Sequence, residues 1–111
     1  MTQEEARTAL LNRQKELEQE GAANISARAV VELQQDSVGR LSRMDALQQQ
    51  AMAMAADERR EAYKSRIAAA LKRLDEGEWG FCMQCGEAIA SKRLINDPSV
   101  PACISCASSR G

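Results

Sequence analysis

The sequence predicts a mainly α-helical protein: an antiparallel helical hairpin of the coiled-coil type, followed by a small C-terminal finger. Residues up to about position 76 are rich in Ala, Glu, Gln, Arg and Leu, a composition that is typical of long helices. The four cysteines all lie in the last third of the chain, in two Cys-x-x-Cys pairs. We therefore divide the chain into a hairpin, residues 1–76, with its tip near residues 36–41, and a four-cysteine (C4-type) zinc finger, residues 77–111.

Composition limits the classes of function. The 111 residues include a single tyrosine, tryptophan and phenylalanine (Tyr63, Trp79 and Phe81), so a large globular core is not expected. Histidine is absent, which removes the commonest general base and the zinc sites that use imidazole. The formal net charge is −1, with acidic and basic residues interspersed, so no basic surface for nucleic acid is predicted.

Neither a targeting segment nor a membrane span is predicted. The N-terminal stretch MTQEEARTALL is acidic and has no apolar region of the signal-peptide type. No run approaches the roughly 20 apolar residues that cross a bilayer. We expect a cytoplasmic protein, in which thiols stay reduced and cysteines are metal ligands more often than disulfides.

The first helix is predicted over residues 3–20, with acidic residues in its first turn. Its apolar positions form a thin seam at helical spacing: Ala6, Leu10 and Leu17. Gly21 interrupts the pattern, and Asn24 or Ser26 can cap a restart of the helix. A kink and a true break are both compatible with this pattern.

The turn of the hairpin is predicted at residues 36–40, and the second helix runs from about residue 41 to residue 76. Ser42 and Asp45 fit a capping-box start, and Gly77 ends the helix in a left-handed conformation. A helix of about 35 residues is roughly 50 Å long, so the tip is expected to lie well away from the cysteines. One face is predicted to be buried, with the methionines as core filler: Leu41, Met44, Leu47, Ala51, Met54, Tyr63, Ile67, Ala70 and Leu74.

The most specific signal is Cys82-x2-Cys85-x17-Cys103-x2-Cys106. This pattern matches four-cysteine zinc sites, in which each short spacer turns both thiolates towards one cation. Four protein ligands leave no open position, which indicates one structural Zn²⁺. Two redox or disulfide pairs remain the alternative. Gly86 suits a positive-φ turn, and a small cluster is predicted beside the finger: Trp79, Phe81, Ile89, Leu94 and Ile95.

A helical hairpin joined to a four-cysteine finger through LDEGEWGFCMQCGEAIASKRL, with Ile89, Arg93 and Leu94 in the pattern I-x-x-x-R-L, resembles the DksA/TraR family of bacterial transcription factors. The resemblance is strongest to the short members and extends from about Asp36 to Cys106. It implies direct binding to RNA polymerase, with the hairpin inserted through the secondary channel towards the active site and the finger at the channel rim. It also implies destabilised promoter open complexes, often together with the stringent-response alarmone ppGpp.

The resemblance assigns the tip of the hairpin. The family motif there is D-x-x-D-x-A, and the matching positions here are Asp36, Gly39 and Leu41, so only the first acid is kept. We expect Asp36, Gly39, Arg40 and Leu41 to form the part of the tip that binds the partner. Composition alone favours Asp36 as an ordinary turn residue, and the resemblance reverses that preference. Arg40 either contacts the same region or is solvated.

The resemblance also suggests contacts at the channel rim. The candidates are Arg66, Lys92 and Arg93, of which the last two alternatively offset the negative charge of the finger. Where the family has basic residues that contact ppGpp, this chain has Asp97 and Ala107, so phosphate would meet a carboxylate and a methyl group. We therefore expect weak or absent synergy with ppGpp.

The favoured function is a non-enzymatic regulator of RNA polymerase that holds one zinc ion, acts as a monomer and binds neither DNA nor membrane. A coiled-coil adaptor for another protein is the main alternative, because any hairpin presents a tip. A DNA-binding zinc module is less favoured, since the charges are interspersed. A transcript-cleavage factor needs paired acids in the turn to hold a second Mg²⁺, and only Asp36 lies there. A thiol oxidoreductase needs a reactive exposed cysteine, which zinc would mask.

Overall fold

The structure, a computed structural model, describes residues 1–35 and 40–109, with side chains described outside residues 26–42. These residues form four helices: α1 (Gln3–Gln35), α2 (Arg40–Glu76), α3 (Ser91–Asn96) and α4 (Ile104–Ser109). Within the described ranges there is no β-strand, only an isolated antiparallel bridge between Phe81 and Ala88. The predicted fold class, two long helices followed by a small four-cysteine finger, is confirmed. No helix in the described ranges is long and apolar enough to cross a membrane.

The helix α1 is continuous through Gly21, so the break that the sequence left open does not occur. A glycine inside a helix costs about 1 kcal/mol relative to alanine. The side chain of Arg60 lies across this glycine, because a Cβ added to Gly21 would come within 3.5 Å of Arg60 Cδ. The packing of α2 against this position outweighs the weak helix propensity of glycine.

The helix ends follow local rules, not all of which were predicted. Thr2 and Glu5 form a capping box, in which Thr2 Oγ1 accepts from the Glu5 N–H at 3.1 Å and the Glu5 carboxylate accepts from the Thr2 N–H at 3.4 Å. The second helix begins at Arg40, one residue before its predicted start at about residue 41, so Ser42 already lies inside the helix and is not its N-cap. Gly77 has φ of 73° and ends α2 as predicted.

The chain divides into two compact units, and the first comprises Met1–Gln14 and Lys64–Gly111. Its helical part buries apolar side chains from α1 and α2: Ala6, Leu10, Ile67, Ala70 and Leu74. An ion pair of 2.8 Å joins Arg7 to Asp75, but both side chains are largely exposed and the pair contributes little. Apolar burial therefore stabilises the helix pair in this unit. The boundary predicted at residue 76 stays a prediction.

The second unit, Lys15–Tyr63, has a polar contact between α1 and α2. Asn24 Nδ2 donates to the Ala53 carbonyl at 3.1 Å and to Asp57 Oδ1 at 2.8 Å. The same carboxylate oxygen is paired with Arg60 Nη1. Asn24 is one of the two candidate caps for a restarted helix, but in the continuous helix its side chain bonds across to α2 instead. Gly21 of α1 lies against Arg60 of α2, and Asn24, further along α1, bonds to Asp57, which comes earlier in α2. The two helices are therefore antiparallel.

The predicted buried face of α2 is wrong over its first half. Met44, Leu47 and Met54 are 69%, 56% and 50% exposed, so the methionines do not fill a core. Counting back from the buried Leu74 and Ile67 in steps of seven reaches Arg60, Ala53 and Ala46, all partly buried. Met54 lies one residue, or about 100°, away from that line. The residues of α2 that face α1 are therefore found by counting in sevens from Leu74, and not by following the apolar side chains.

The predicted cluster beside the finger forms only in part. Trp79, Ile89 and Leu94 are buried, whereas Phe81 and Ile95 are 51% and 57% exposed. Gly80 separates Trp79 from Phe81 and has φ of 95°, outside the extended conformation in which alternate residues share a face. Ile95 directly follows the buried Leu94 in α3, so its side chain points about 100° away around the helix axis.

We expect Asn24→Ala to lower the free energy of unfolding by about 1–3 kcal/mol, because Asp57 and the Ala53 carbonyl lose a common donor at a partly buried position. Urea or thermal denaturation followed by circular dichroism measures this change. Asn12→Ala is the matched control, since Asn12 is exposed on the same helix. Equal stability of the two variants would contradict a stabilising role for the Asn24 contact.

Candidate metal centre

The first Cys-x-x-Cys pair lies in a tight hairpin held by backbone hydrogen bonds. The N–H of Cys82 donates to the Glu87 carbonyl at 2.8 Å, and the N–H of Gly86 donates back to the Cys82 carbonyl at 2.9 Å. Gly86 has φ of 78°, a conformation that costs a residue with a Cβ but not glycine. The predicted positive-φ turn is therefore confirmed, and it places Cys82 and Cys85 on the same side of the turn.

The second pair lies at the start of α4. Cys103 precedes the helix and Cys106 is in its first turn, so one helical turn brings both sulfurs to the same side. The N–H of Ala107 donates to the Cys103 carbonyl at 2.9 Å and closes this turn. A bond of 2.9 Å from the Met83 N–H to the Pro101 carbonyl joins the two pairs directly.

The four sulfur atoms have the spacing that a tetrahedral zinc ion requires. The Sγ atoms of Cys82, Cys85, Cys103 and Cys106 all lie within 4.8 Å of one another. Zn–S bonds of about 2.3 Å in a tetrahedron put neighbouring sulfurs about 3.8 Å apart. The distance between the Sγ atoms of Cys85 and Cys103 is 3.8 Å. The cysteines therefore form a site for a single structural zinc ion, as the spacing predicted.

The electrostatics of the thiols show why this site needs a cation. Hydrogen bonds from the backbone at Cys85 and Cys103 lower the pKa of Cys82 to about 6, so one thiolate is readily formed. Hydrogen bonding to the thiols of Cys103 and Cys82 raises the pKa of Cys106 to about 12. The pKa of Cys85 is also raised above its usual value. Four thiolates are too close together to exist without a bound metal, and Zn²⁺ supplies the compensating charge.

Side chains outside the cysteines close the finger around the site. Trp79 Nε1 donates to the Pro98 carbonyl at 2.9 Å, which ties the end of α2 to the returning loop. In that loop, Asp97 Oδ1 accepts from the N–H of Ser99 at 3.0 Å and from its hydroxyl at 2.6 Å. Ser99 is almost fully buried. The Asp-Pro-Ser sequence signals such a turn, although no role was predicted for Ser99.

Two arginines contact the backbone or side chains next to the cysteines. Arg93 Nε donates to the Ala102 carbonyl at 3.0 Å, and Arg73 Nη1 contacts Met83 Sδ at 3.6 Å. Arg73 is buried, and this burial lowers its pKa from the usual value. The sequence carries no signal for this contact, since an arginine in the last turn of a helix is ordinarily solvated.

The other predicted contact residues are not gathered at this site. Arg66 and Lys92 are exposed. Asp36 and Gly39 lie outside the described residues, and Arg40 and Leu41 begin α2 with side chains that also lie outside the described part of the chain. Their assignment to a partner-binding tip stays a prediction.

Fold and site together define a class of protein: an antiparallel helical pair that carries a compact four-cysteine zinc finger. No family model matches the sequence. The structure is similar to that of the transcription factor DksA2 from Pseudomonas aeruginosa, with a TM-score of 0.83 and 24% sequence identity over 97% of this chain and 81% of that one. At that identity the likeness shows the fold, which is the fold of DksA.

A local sequence match points to the same group. Over 41 residues, 37% of this chain, the sequence is 44% identical to the RNA polymerase-binding transcription factor DksA of Haemophilus influenzae. The matched segment covers 28% of that relative's length. The two matches confirm the resemblance to the DksA/TraR family that the motifs indicated.

We expect zinc affinity to rise by at least about 100-fold per pH unit near neutral pH, because zinc must displace protons from Cys85 and Cys106, whose pKa values are raised. Below about pH 6 the loss steepens, since Cys82 then also binds a proton. Competition with a chelator of known pH dependence measures the slope, and calorimetry in buffers of different ionisation enthalpy counts the protons released. A slope of about tenfold or less per pH unit would mean that zinc displaces at most one proton, which would contradict raised pKa values for both Cys85 and Cys106.

Proposed function

We propose that this protein binds bacterial RNA polymerase and regulates transcription initiation by inserting its helical hairpin into the secondary channel. The observation that carries the proposal is the likeness of 97% of the chain to the fold of DksA2. The local identity to a protein named for RNA polymerase binding supports it. Fold alone does not define function, so the proposal depends on the two likenesses together.

The proposed roles of the two parts follow from their chemistry. A zinc ion held by four cysteines has no open position for substrate or water, so the proposed role of the finger is structural and not catalytic. The hairpin tip is the part that acts on the polymerase. Asp36 would present a carboxylate to the basic and metal-bearing surroundings of the active centre, and Gly39, Arg40 and Leu41 would complete the contact.

Rim contacts are proposed for residues on the outside of the first unit. Arg66 and Lys92 are exposed there and present positive charge to a partner. Arg93 is partly buried and its Nε is bonded to the Ala102 carbonyl, so only the rest of its guanidinium is available for a rim contact. We assign the rim contacts to Arg66 and Lys92 first.

A second candidate function is a coiled-coil adaptor that binds another protein. The exposed apolar side chains of α2 favour it: Met44, Leu47, Met52 and Met54. Exposed methionines suit adaptable protein-binding surfaces, because the side chain is flexible and polarisable. The adaptor takes the lead only if the protein, correctly folded and loaded with zinc, does not bind RNA polymerase.

We expect direct binding to purified bacterial RNA polymerase, and competition for that binding by a known secondary-channel factor. Asp36→Asn should keep helicity and zinc content but weaken the effect on open complexes by about tenfold, the equivalent of about 1.4 kcal/mol. Asp45→Asn removes the same charge from an exposed position on α2 and should behave like the unmodified protein. Equal activity of the two variants would contradict the role assigned to Asp36. Binding to the polymerase without competition would contradict insertion into the secondary channel.

We also expect ppGpp to potentiate the transcriptional effect weakly or not at all. Asp97 already uses one carboxylate oxygen to hold Ser99, and Ala107 is exposed with no side-chain donor for phosphate. A titration of ppGpp in an initiation assay, with a ppGpp-responsive DksA as the positive control, tests this expectation. Strong potentiation of this protein by ppGpp would show that other residues bind the alarmone.

A further inference from the structure

Each Cys-x-x-Cys pair has one arginine anchored beside it. Arg73, in the last turn of α2, contacts Met83 Sδ at 3.6 Å, and Met83 directly follows Cys82. Arg93, in α3, donates from Nε to the Ala102 carbonyl at 3.0 Å, and Ala102 directly precedes Cys103. Two arginines from different helices thus reach the two halves of the zinc site.

Among the side chains that the structure describes, no carboxylate faces the guanidinium of Arg73 or of Arg93. Arg73 is only 7% exposed and its Nε has no hydrogen-bond partner, while Arg93 is partly buried. A guanidinium removed from water is costly unless a negative charge lies nearby.

The zinc site supplies that negative charge. Four cysteine thiolates around one Zn²⁺ leave a formal excess of two negative charges at the centre. Arg73 and Cys82 line the same cavity, and the cavity includes Met83. Arg73 and Arg93 together carry two positive charges, the number needed to balance the centre.

We propose that Arg73 and Arg93 are the counter-cations of the zinc centre, one for each Cys-x-x-Cys pair. Each acts through its position next to a ligand and not by binding the metal. Their charges lower the energy of the zinc-bound tetrathiolate, so they increase zinc affinity. This role is independent of the proposed binding to RNA polymerase.

The lysines that precede these arginines in the sequence provide matched controls. The side chain of Lys72 is 77% exposed, and its Nζ lies 4.0 Å from Glu76 Oε1. Lys92, in α3, is also exposed. Both carry the same charge as the neighbouring arginine, but water screens their interaction with the centre. If burial makes the charge of each arginine effective, removal of that charge should lower zinc affinity more than removal of the charge of the neighbouring lysine.

The test measures zinc affinity of the full chain by chelator competition at fixed pH and ionic strength, with circular dichroism as the check of helicity. Arg73→Met and Arg93→Met should each lower zinc affinity by about tenfold, and the double variant by about 100-fold, in the range found for groups that support metal ligands. Lys72→Met and Lys92→Met should stay within about twofold of the unmodified protein. Cys103→Ser removes one of the four ligands and so shows how weakly zinc binds when the ligand set is incomplete.

Charge-retaining variants separate electrostatics from packing. Arg73→Lys and Arg93→Lys should recover most of the affinity that the methionine variants lose, because the positive charge is kept. If a methionine variant loses helicity, Arg73→Gln and Arg93→Gln take its place, since glutamine keeps an N–H donor without the charge. The proposal is overturned if the neutral variants bind zinc as tightly as the lysine controls, or if the Arg→Lys variants bind as weakly as the neutral ones.

Discussion

The structure of the finger depends on one constraint: four cysteine sulfurs lie within 4.8 Å of one another, and as thiolates they need a cation between them. The segment around them has few apolar residues and two short helices of six residues each, too little to fold by burial alone. Zinc binding supplies the missing free energy, and the backbone bonds at Cys82 and Gly86 hold the first two ligands on one side of their turn. Trp79, which follows α2, donates a hydrogen bond to the Pro98 carbonyl and so ties the loop of the finger to the end of that helix.

The helix pair combines two kinds of contact. Leu10, Ile67 and Leu74 are buried apolar side chains, and burial of this kind is not directional. Asn24 and Asp57 meet in a hydrogen bond of 2.8 Å, which a shift of either helix by one turn would break. Polar residues at seam positions of coiled coils set register at some cost in stability. In a hairpin whose tip is the proposed working part, register determines which residues reach the turn.

The sequence predicted the two long helices, the glycine that ends α2 at residue 77 and the four converging cysteines. Each of these follows from local chemistry: helix propensity, a left-handed conformation, or ligand spacing. The errors of the sequence-based predictions have one physical origin: which side chains of a helix are buried depends on the helix packed against it. Met44 and Met54 lie on an apolar stripe, yet the seam runs through Ala53 and Arg60. Asn24 fits a helix cap by type, but the Ala53 carbonyl and Asp57 on the other helix make it a bridge.

The sequence by itself determined which residues hold zinc, because Cys-x-x-Cys pairs act over a few residues and two pairs leave little choice of ligand set. It also determined that the chain is mainly helical. Only the tertiary structure decided that α1 passes unbroken through Gly21, where Arg60 lies against the glycine. Only the tertiary structure placed Arg73 against Met83 and Arg93 against Ala102. Those contacts join residues that are apart in sequence, and their free energy depends on desolvation that no local pattern reports.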